Sequence, residues 1–272
     1  MQSFQTRFIS AAIAIIGLFF LYFFLKADGL RILCFLAVVV GTAELIKILF
    51  KPEDSFTIKT LFYTFMILIF TLSVKYLSFS SLVFASASIL FFSLSLLLQK
   101  KFEDLHMLAL FQAKSILGFL YLGLLPAFAC KILDLENGIS WFLILLIVVF
   151  SGDIFAYFFG VLWGKKKIMP HVSPKKTYLG GLGGLIGSTA SAFFCSLAFH
   201  LPTQPLILVG IIVGLVAQFG DLFESMLKRV AEVKDSGTIM PGHGGVLDRI
   251  DGVLFAAPFV YFFAVLIQHF YF

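Results

Sequence analysis

Between Glu224 and Gly252 the chain reads ESMLKRVAEVKDSGTIMPGHGGVLDRIDG, and apolar sequence flanks it on both sides. If the helix entering this stretch continues, Asp221, Ser225 and Lys228 fall at i, i+4 and i+7 and share one face. A carboxylate, a hydroxyl and an ammonium on one stripe can hold a metal ion and a phosphate. Asp248 and Asp251 follow. Hard oxygen donors at Asp221, Asp248 and Asp251 suit Mg²⁺ rather than zinc, and no His or Cys cluster competes for a softer ion. Gly237, Gly242, Gly244, Gly245 and Gly252 let the main chain approach a ligand with its N–H groups forward. His243 stands between glycines, where it can donate to phosphate or exchange protons. Plainer readings fit parts of the pattern. The stripe also suits an interfacial turn whose Lys reaches for water, and an acid ahead of an apolar helix also suits a helix N-terminus.

An earlier loop reads WGKKKIMPHVSPKKTYLGGLGGLIGS, from Trp163 to Ser188. It lacks the G-x-x-x-x-G-K-[ST] pattern of a P-loop. It does set Ser173, Lys175, Lys176 and Thr177 just before a glycine-rich helix start, which makes an anion site. Gly183, Gly184 and Gly187 are read as helix-packing positions. Two acids lie inside apolar runs: Asp153, in SGDIFAYFFG, and Glu44. A charge at bilayer depth is costly unless it faces a cavity or a partner, so both are functional candidates. Gly152, Tyr157 and Gly160 suggest a polar cavity around Asp153. Glu44 is read as pairing with a nearby Lys or lying near the interface.

The elements that must position these residues are membrane helices. The chain is 60% hydrophobic and 13% charged, with 36 Phe among 272 residues, which is too apolar for a soluble domain. The apolar stretches run unbroken instead of alternating, so they are helices rather than barrel strands. The fold class expected is an all-α polytopic membrane protein with nine spans: about 8–25, 32–50, 60–74, 76–98, 115–129, 140–163, 179–199, 205–223 and 253–272. Residues 1–272 form a single membrane domain in this reading, with less specific helices over about 1–110 and the catalytic part over about 111–272. The first run is too long for a signal-peptide core and is followed by others, so it is read as retained. Cys34, Cys130 and Cys195 lie in apolar runs without metal-ligand spacing and are read as small hydrophobes.

Nine spans put the termini on opposite sides. Sixteen of the 20 Lys and Arg then fall on the N-terminal side, leaving Lys26, Arg31, Lys75 and Lys131 on the other. The positive-inside rule places the N-terminus and both polar loops in the cytoplasm and the C-terminus opposite. Anionic lipid heads would also attract this surface.

Ser225 to Asp251 resembles the signature of the phosphatidate cytidylyltransferases, or CDP-diglyceride synthetases. S-x-x-K-R, K-D-x-G, P-G-H-G-G and L-D-R-x-D stand in order at the family's spacing, and SPKKTYLG and SGDIFAYFFG resemble its other blocks. The first hundred or so residues resemble it only in being apolar. The resemblance implies transfer of CMP from CTP to phosphatidic acid, giving CDP-diacylglycerol and pyrophosphate. It implies a Mg²⁺ site at Asp221 and Asp248; the residues themselves add Asp251 as a further candidate ligand, and a second cation beside Mg²⁺ stands as an alternative. Both substrates are anionic, so Lys and Arg must gather them. The expected catalytic set is Asp221, Lys228, Arg229, Asp248 and Arg249. The expected substrate-binding set is Ser173, Lys175, Lys176, Ser225, Lys234, Asp235, His243, Gly244, Gly245 and Asp153.

Partners expected are CTP, phosphatidic acid and membrane lipids, with no nucleic acid, and small residues in the spans allow a homodimer. The location expected is a bacterial inner membrane, with the site facing the cytoplasm. Two alternatives stand beside this reading. A CTP-dependent polyprenol or phytol kinase would share the nucleotide and metal features but move a terminal phosphoryl group to an alcohol. A transporter built around Asp153 and Glu44 would need no glycine–histidine loop.

Overall fold

The structure, a computed structural model, describes residues 2–239, 242 and 244–271. Side chains of residues 2–16, 18, 19 and 21 lie outside that description. The chain is a predominantly α-helical integral membrane protein. Among the described residues, eight helices are long and apolar enough to cross a bilayer. The reading of nine also counts the run at 8–25, most of whose side chains are outside the described residues. It belongs to α1 (Gln2–Leu49), which leaves helical geometry at Lys26 (φ 50°, ψ −129°), between the first two expected spans.

The helices form two compact units: residues 1–130 with 235–247, and residues 131–234 with 248–272. The first holds α1, α2 (Phe56–Lys75), α3 (Ser80–Leu97), α4 (Leu105–Gly118) and most of α5 (Leu125–Ile132). A π-helical stretch, Phe119–Leu124, joins α4 to α5, so that Leu105–Ile132 is one continuous span. The sequence reading began this span only at Ser115, because His106, Gln112 and Lys114 interrupt the apolar run. The structure provides for two of these polar groups. Gln112 Nε2 donates to Ser95 Oγ at 2.7 Å, and Lys114 Nζ donates to the Leu49 carbonyl at 2.8 Å.

Lipid is as apolar as a phenylalanine ring, so helices in a bilayer are held by close packing rather than by escape from water. The first unit packs through aromatic rings. Phe119 lies 4.9 Å from Phe91 edge-on and 5.3 Å from Phe62 in a stack, and Phe50 meets Phe62 at 5.1 Å. The outward face of α3 shows the complementary pattern. Leu82, Ile89 and Leu96, seven residues apart, are 64%, 65% and 55% exposed, a stripe that lipid must cover.

The second unit packs through small residues. It contains α6 (Gly138–Trp163), a hairpin of β1 (Lys167–Met169) and β2 (Ser173–Thr177), α7 (Tyr178–Ala198), α8 (Thr203–Val230) and α9 (Leu247–Tyr271) from Asp248 onward. Gly183 and Gly187 of α7 give way to the rings of Phe159 and Phe155 on α6, and a Cβ at Gly184 would stand 3.1 Å from Ala156 Cβ. Gly214 of α8 leaves room for Ser188, whose hydroxyl donates to the Val148 carbonyl at 2.9 Å. These contacts give Gly183, Gly184 and Gly187 the packing role read from the sequence. Cys130 and Cys195 are buried and Cys34 is half-buried.

The hairpin was not anticipated. Pro170 and Pro174 in a lysine-rich stretch read as plain loop, yet β1 and β2 pair antiparallel, with Lys167 opposite Thr177. Thr177 then caps α7, its hydroxyl accepting from Gly180 N at 3.1 Å.

Candidate active site

The C-terminal third of α8 continues the span as one unbroken helix, which carries Asp221, Glu224, Ser225 and Lys228 at its polar end. Ser225 Oγ donates to Asp221 Oδ1 at 3.3 Å, the i, i+4 contact expected of one face. Lys228 is 8% exposed. Its ammonium is held from two sides, by Glu224 Oε2 at 2.7 Å and by Asp248 Oδ1 at 2.5 Å. Asp248 sits in the first turn of α9. Lys228 thus ties the end of one membrane helix to the start of another.

Glu224 is the functional candidate that the sequence reading missed. It is 1% exposed, and its Oε1 is buried with no hydrogen-bond partner among the described residues. The signal was present: Glu224 lies four residues before Lys228, the favourable order for a helical ion pair.

The hairpin delivers the second lysine. Side chains alternate along a strand, so Lys175 and Lys176 face opposite ways. Lys175 is exposed. Lys176 is half-buried and reaches Asp221 Oδ2 at 2.7 Å. The two were expected to act together on one phosphate; the strand separates them. Lys176→Ala should therefore lower turnover at least about tenfold more than Lys175→Ala, because only Lys176 gives a charge-assisted contact inside the cluster. Initial rates of both variants at matched protein levels check this.

Asp153 of α6 stands within electrostatic reach of Asp221, Lys176 and Arg249, and Asp251 within reach of Asp221, Glu224 and Asp153. Asp251 is 9% exposed, and its Oδ1 accepts from Gly252 N at 2.8 Å. Arg229 is exposed and bonds main chain, donating to the carbonyls of Val172 at 3.3 Å and Val233 at 3.4 Å. It braces the hairpin turn against the end of α8. Arg249, Lys234 and Asp235 are exposed, and Ser173 is half-buried in β2. His243 lies outside the described residues.

The glycines divide by cause. Gly242 and Gly244 have φ of 76° and 83°, a conformation that favours glycine. Gly237 and Gly245 instead leave space for the Glu44 carboxylate, and Gly252 packs on Val149 and Ala217. Glu44, 2% exposed, accepts from Val246 N and Leu247 N at 3.0 Å and from Ser236 Oγ at 3.1 Å. The expectation of a Lys partner for Glu44 gives way to these bonds.

The cluster in the second unit holds five carboxylates, Asp153, Asp221, Glu224, Asp248 and Asp251, against three cations, Lys176, Lys228 and Arg249. Fully ionised, it is two charges short of neutral, and Glu224 adds an orphaned oxygen. That donor set fits a divalent, oxygen-loving ion. Among the described residues, no three His, Cys, Asp or Glu side chains converge closely enough to hold an ion alone. Mg²⁺ commonly takes one or two carboxylates and completes its shell with water and substrate phosphate, so the residues present fit it on those terms.

A phosphatidate cytidylyltransferase of Bacillus subtilis (strain 168) is 40% identical over 153 residues, covering 55% of this chain and 57% of the relative. One of Staphylococcus haemolyticus (strain JCSC1435) is 46% identical over 127 residues, covering 45% and 48%. The uncharacterized protein YnbB of Escherichia coli (strain K12) is 40% identical over 131 residues, covering 48% and 44%. The chain thus aligns with about half the length of the curated relatives it matches. A family model reaches much further, from residue 5 to residue 267, and so takes in the N-terminal helices as well as the charged cluster. On that match the chain belongs to the cytidylyltransferase family.

Proposed function

We propose that the chain transfers CMP from CTP to phosphatidic acid, releasing pyrophosphate and forming CDP-diacylglycerol. The observation that carries this reading is the Lys228 ammonium braced between Glu224 and Asp248 at the polar end of a membrane helix. One substrate is a lipid and the other a water-soluble nucleotide, so the chemistry must occur where a span leaves the bilayer.

A phosphate oxygen of phosphatidic acid attacks the α-phosphorus of CTP in line. The new P–O bond forms as the bond to the β-phosphate bridging oxygen breaks, and that electron pair leaves with pyrophosphate. A phosphomonoester is already a nucleophile at neutral pH, so no strong general base is required. The obstacle is repulsion between two anions and charge growing on the leaving group. Lys228 and Arg249 would meet the transferring and leaving oxygens, and Lys176 a substrate phosphate. Asp221 and Asp248 would hold Mg²⁺, with Asp251 and the orphaned oxygen of Glu224 close by. When bound, that ion would neutralise charge on the pyrophosphate. Gly244, Gly245 and His243 would orient the nucleotide.

Membranes carrying the protein, given phosphatidic acid and CTP labelled at the α-phosphorus, should place label in the lipid fraction. Label entering lipid from γ-labelled CTP instead would favour the lipid kinase. Flux of a substrate across proteoliposomes without pyrophosphate release would favour the transporter.

The bacterial relatives and the charge asymmetry support a plasma-membrane location with the site facing the cytoplasm. In a background lacking Cys34, Cys130 and Cys195, cysteines placed at Lys166 and Thr238 should resist an impermeant thiol reagent added to intact cells, and one at Gln204 should react. All three native positions are exposed, so burial does not confuse the result. Labelling of all three from outside would overturn the orientation.

A further inference from the structure

Glu44 lies in the half of the chain that carries the weakest resemblance to anything catalytic, yet both oxygens of its carboxylate accept hydrogen bonds. It sits on α1 and is 2% exposed. Oε1 accepts from Val246 N at 3.0 Å; Oε2 accepts from Leu247 N at 3.0 Å and from Ser236 Oγ at 3.1 Å. These donors belong to a segment 192 to 203 residues further along the chain.

The segment is shaped to receive this carboxylate. A Cβ on Gly245 would stand 2.5 Å from both Glu44 oxygens, and one on Gly237 would collide with Oε1. One helical turn before Glu44, Gly41 does the same for an apolar contact. Leu247, 0% exposed, packs where a Cβ at Gly41 would come within 3.1 Å of its Cδ2. Val246 N and Leu247 N stand at the start of α9, where main-chain N–H groups have no partner within their own helix. Glu44 therefore caps α9 from another helix. It also closes the loop at both ends, at Ser236 and at Val246–Leu247.

We infer that Glu44 is a positioning residue: it anchors both ends of the glycine loop, at Ser236 and at Val246–Leu247, to α1 and so positions the loop for the nucleotide. The role in substrate binding rests on the proposed transfer from CTP; the anchoring does not. Val246 and Leu247 are followed directly by Asp248, so the backbone Glu44 fixes leads straight into a residue of the charged cluster. A buried carboxylate is worth its desolvation only when several donors satisfy it. Here three do, all from one loop.

Glu44→Gln is the test. An amide keeps the size but offers one oxygen, so its NH₂ must face an N–H or hydroxyl donor. Amide hydrogen exchange over residues 235–247 should quicken by at least about tenfold, while α2 and α4 keep their protection. If only a fraction of loops remains competent, apparent CTP affinity falls by that fraction, so KM for CTP should rise about tenfold with kcat nearly kept. Gly237→Ala, whose Cβ would stand 2.4 Å from Glu44 Oε1, pushes on the same carboxylate from the loop side and should reproduce the pattern; it decides the matter if Glu44→Gln does not fold.

Unchanged exchange in the loop, or exchange quickened equally in α2 and α4, would overturn the inference. So would loosened loop exchange with KM for CTP at the wild-type value. If the wild-type protein transfers no CMP to phosphatidic acid, the proposed function fails, and loop exchange alone then upholds or overturns the anchoring.

Discussion

Asp248→Asn should reduce cytidylyl transfer by on the order of a thousandfold or more, while the protein stays folded and inserted. The substitution keeps the side chain's size and one oxygen able to accept from Lys228. Lys228 also retains Glu224 at 2.7 Å, so the tie within α8 survives. What is lost is a negative charge and with it a hard ligand for Mg²⁺. The loss in rate should therefore come without a comparable loss in thermal stability in detergent. Asp221→Asn should behave similarly, although it also weakens the contact with Lys176. Asp251→Asn should cost less, since Asp251 satisfies Gly252 N within its own helix. Near wild-type turnover by Asp248→Asn at ordinary Mg²⁺ would remove this residue from the metal site.

The parts of this arrangement that the sequence made legible are those set by local periodicity. A bilayer demands apolar runs of about 20 residues, so most spans could be read directly. Asp221, Ser225 and Lys228 could be placed on one face because the helix period fixes it. Glu224 escaped because the reading followed the stripe starting at Asp221, while Lys228 looks back four residues to a different acid. The hairpin at Lys167–Thr177 escaped because two prolines hid a pairing that needs only a few backbone bonds. Separation of Lys175 from Lys176 followed from that same strand. The bonds of Glu44 were beyond reach of any local rule, since its partners lie about two hundred residues away. Its presence inside an apolar run did flag it, because burial of a charge demands a partner even when the partner cannot be named.

Lys228→Ala should lose at least about a hundredfold in rate, on the order of 3 kcal/mol of transition-state stabilisation. Lys166→Ala should stay near wild type. Lys166 is exposed, in a run of three lysines, and its ammonium rests 5.4 Å from the centre of the Tyr178 ring. Lys228 differs in being buried between two carboxylates. Removing it leaves Glu224, 1% exposed, and Asp248 facing each other without the charge that joined them. Breaking a buried ion pair in this way costs roughly 3–5 kcal/mol, so the variant should also melt at a lower temperature. Loss of fold and loss of chemistry must then be separated. Lys228→Met with Glu224→Gln removes the lysine together with one of its acids and keeps the volume. Stability should return in part in this double variant, because Glu224 no longer carries a charge while Asp248 still lacks the Lys228 ammonium. Activity should not return, because no ammonium remains to meet the phosphates. The measurements are pyrophosphate release at saturating CTP and phosphatidic acid, and thermal unfolding in the same detergent. If the double variant recovers both stability and rate, Lys228 is a structural brace and not a catalytic group.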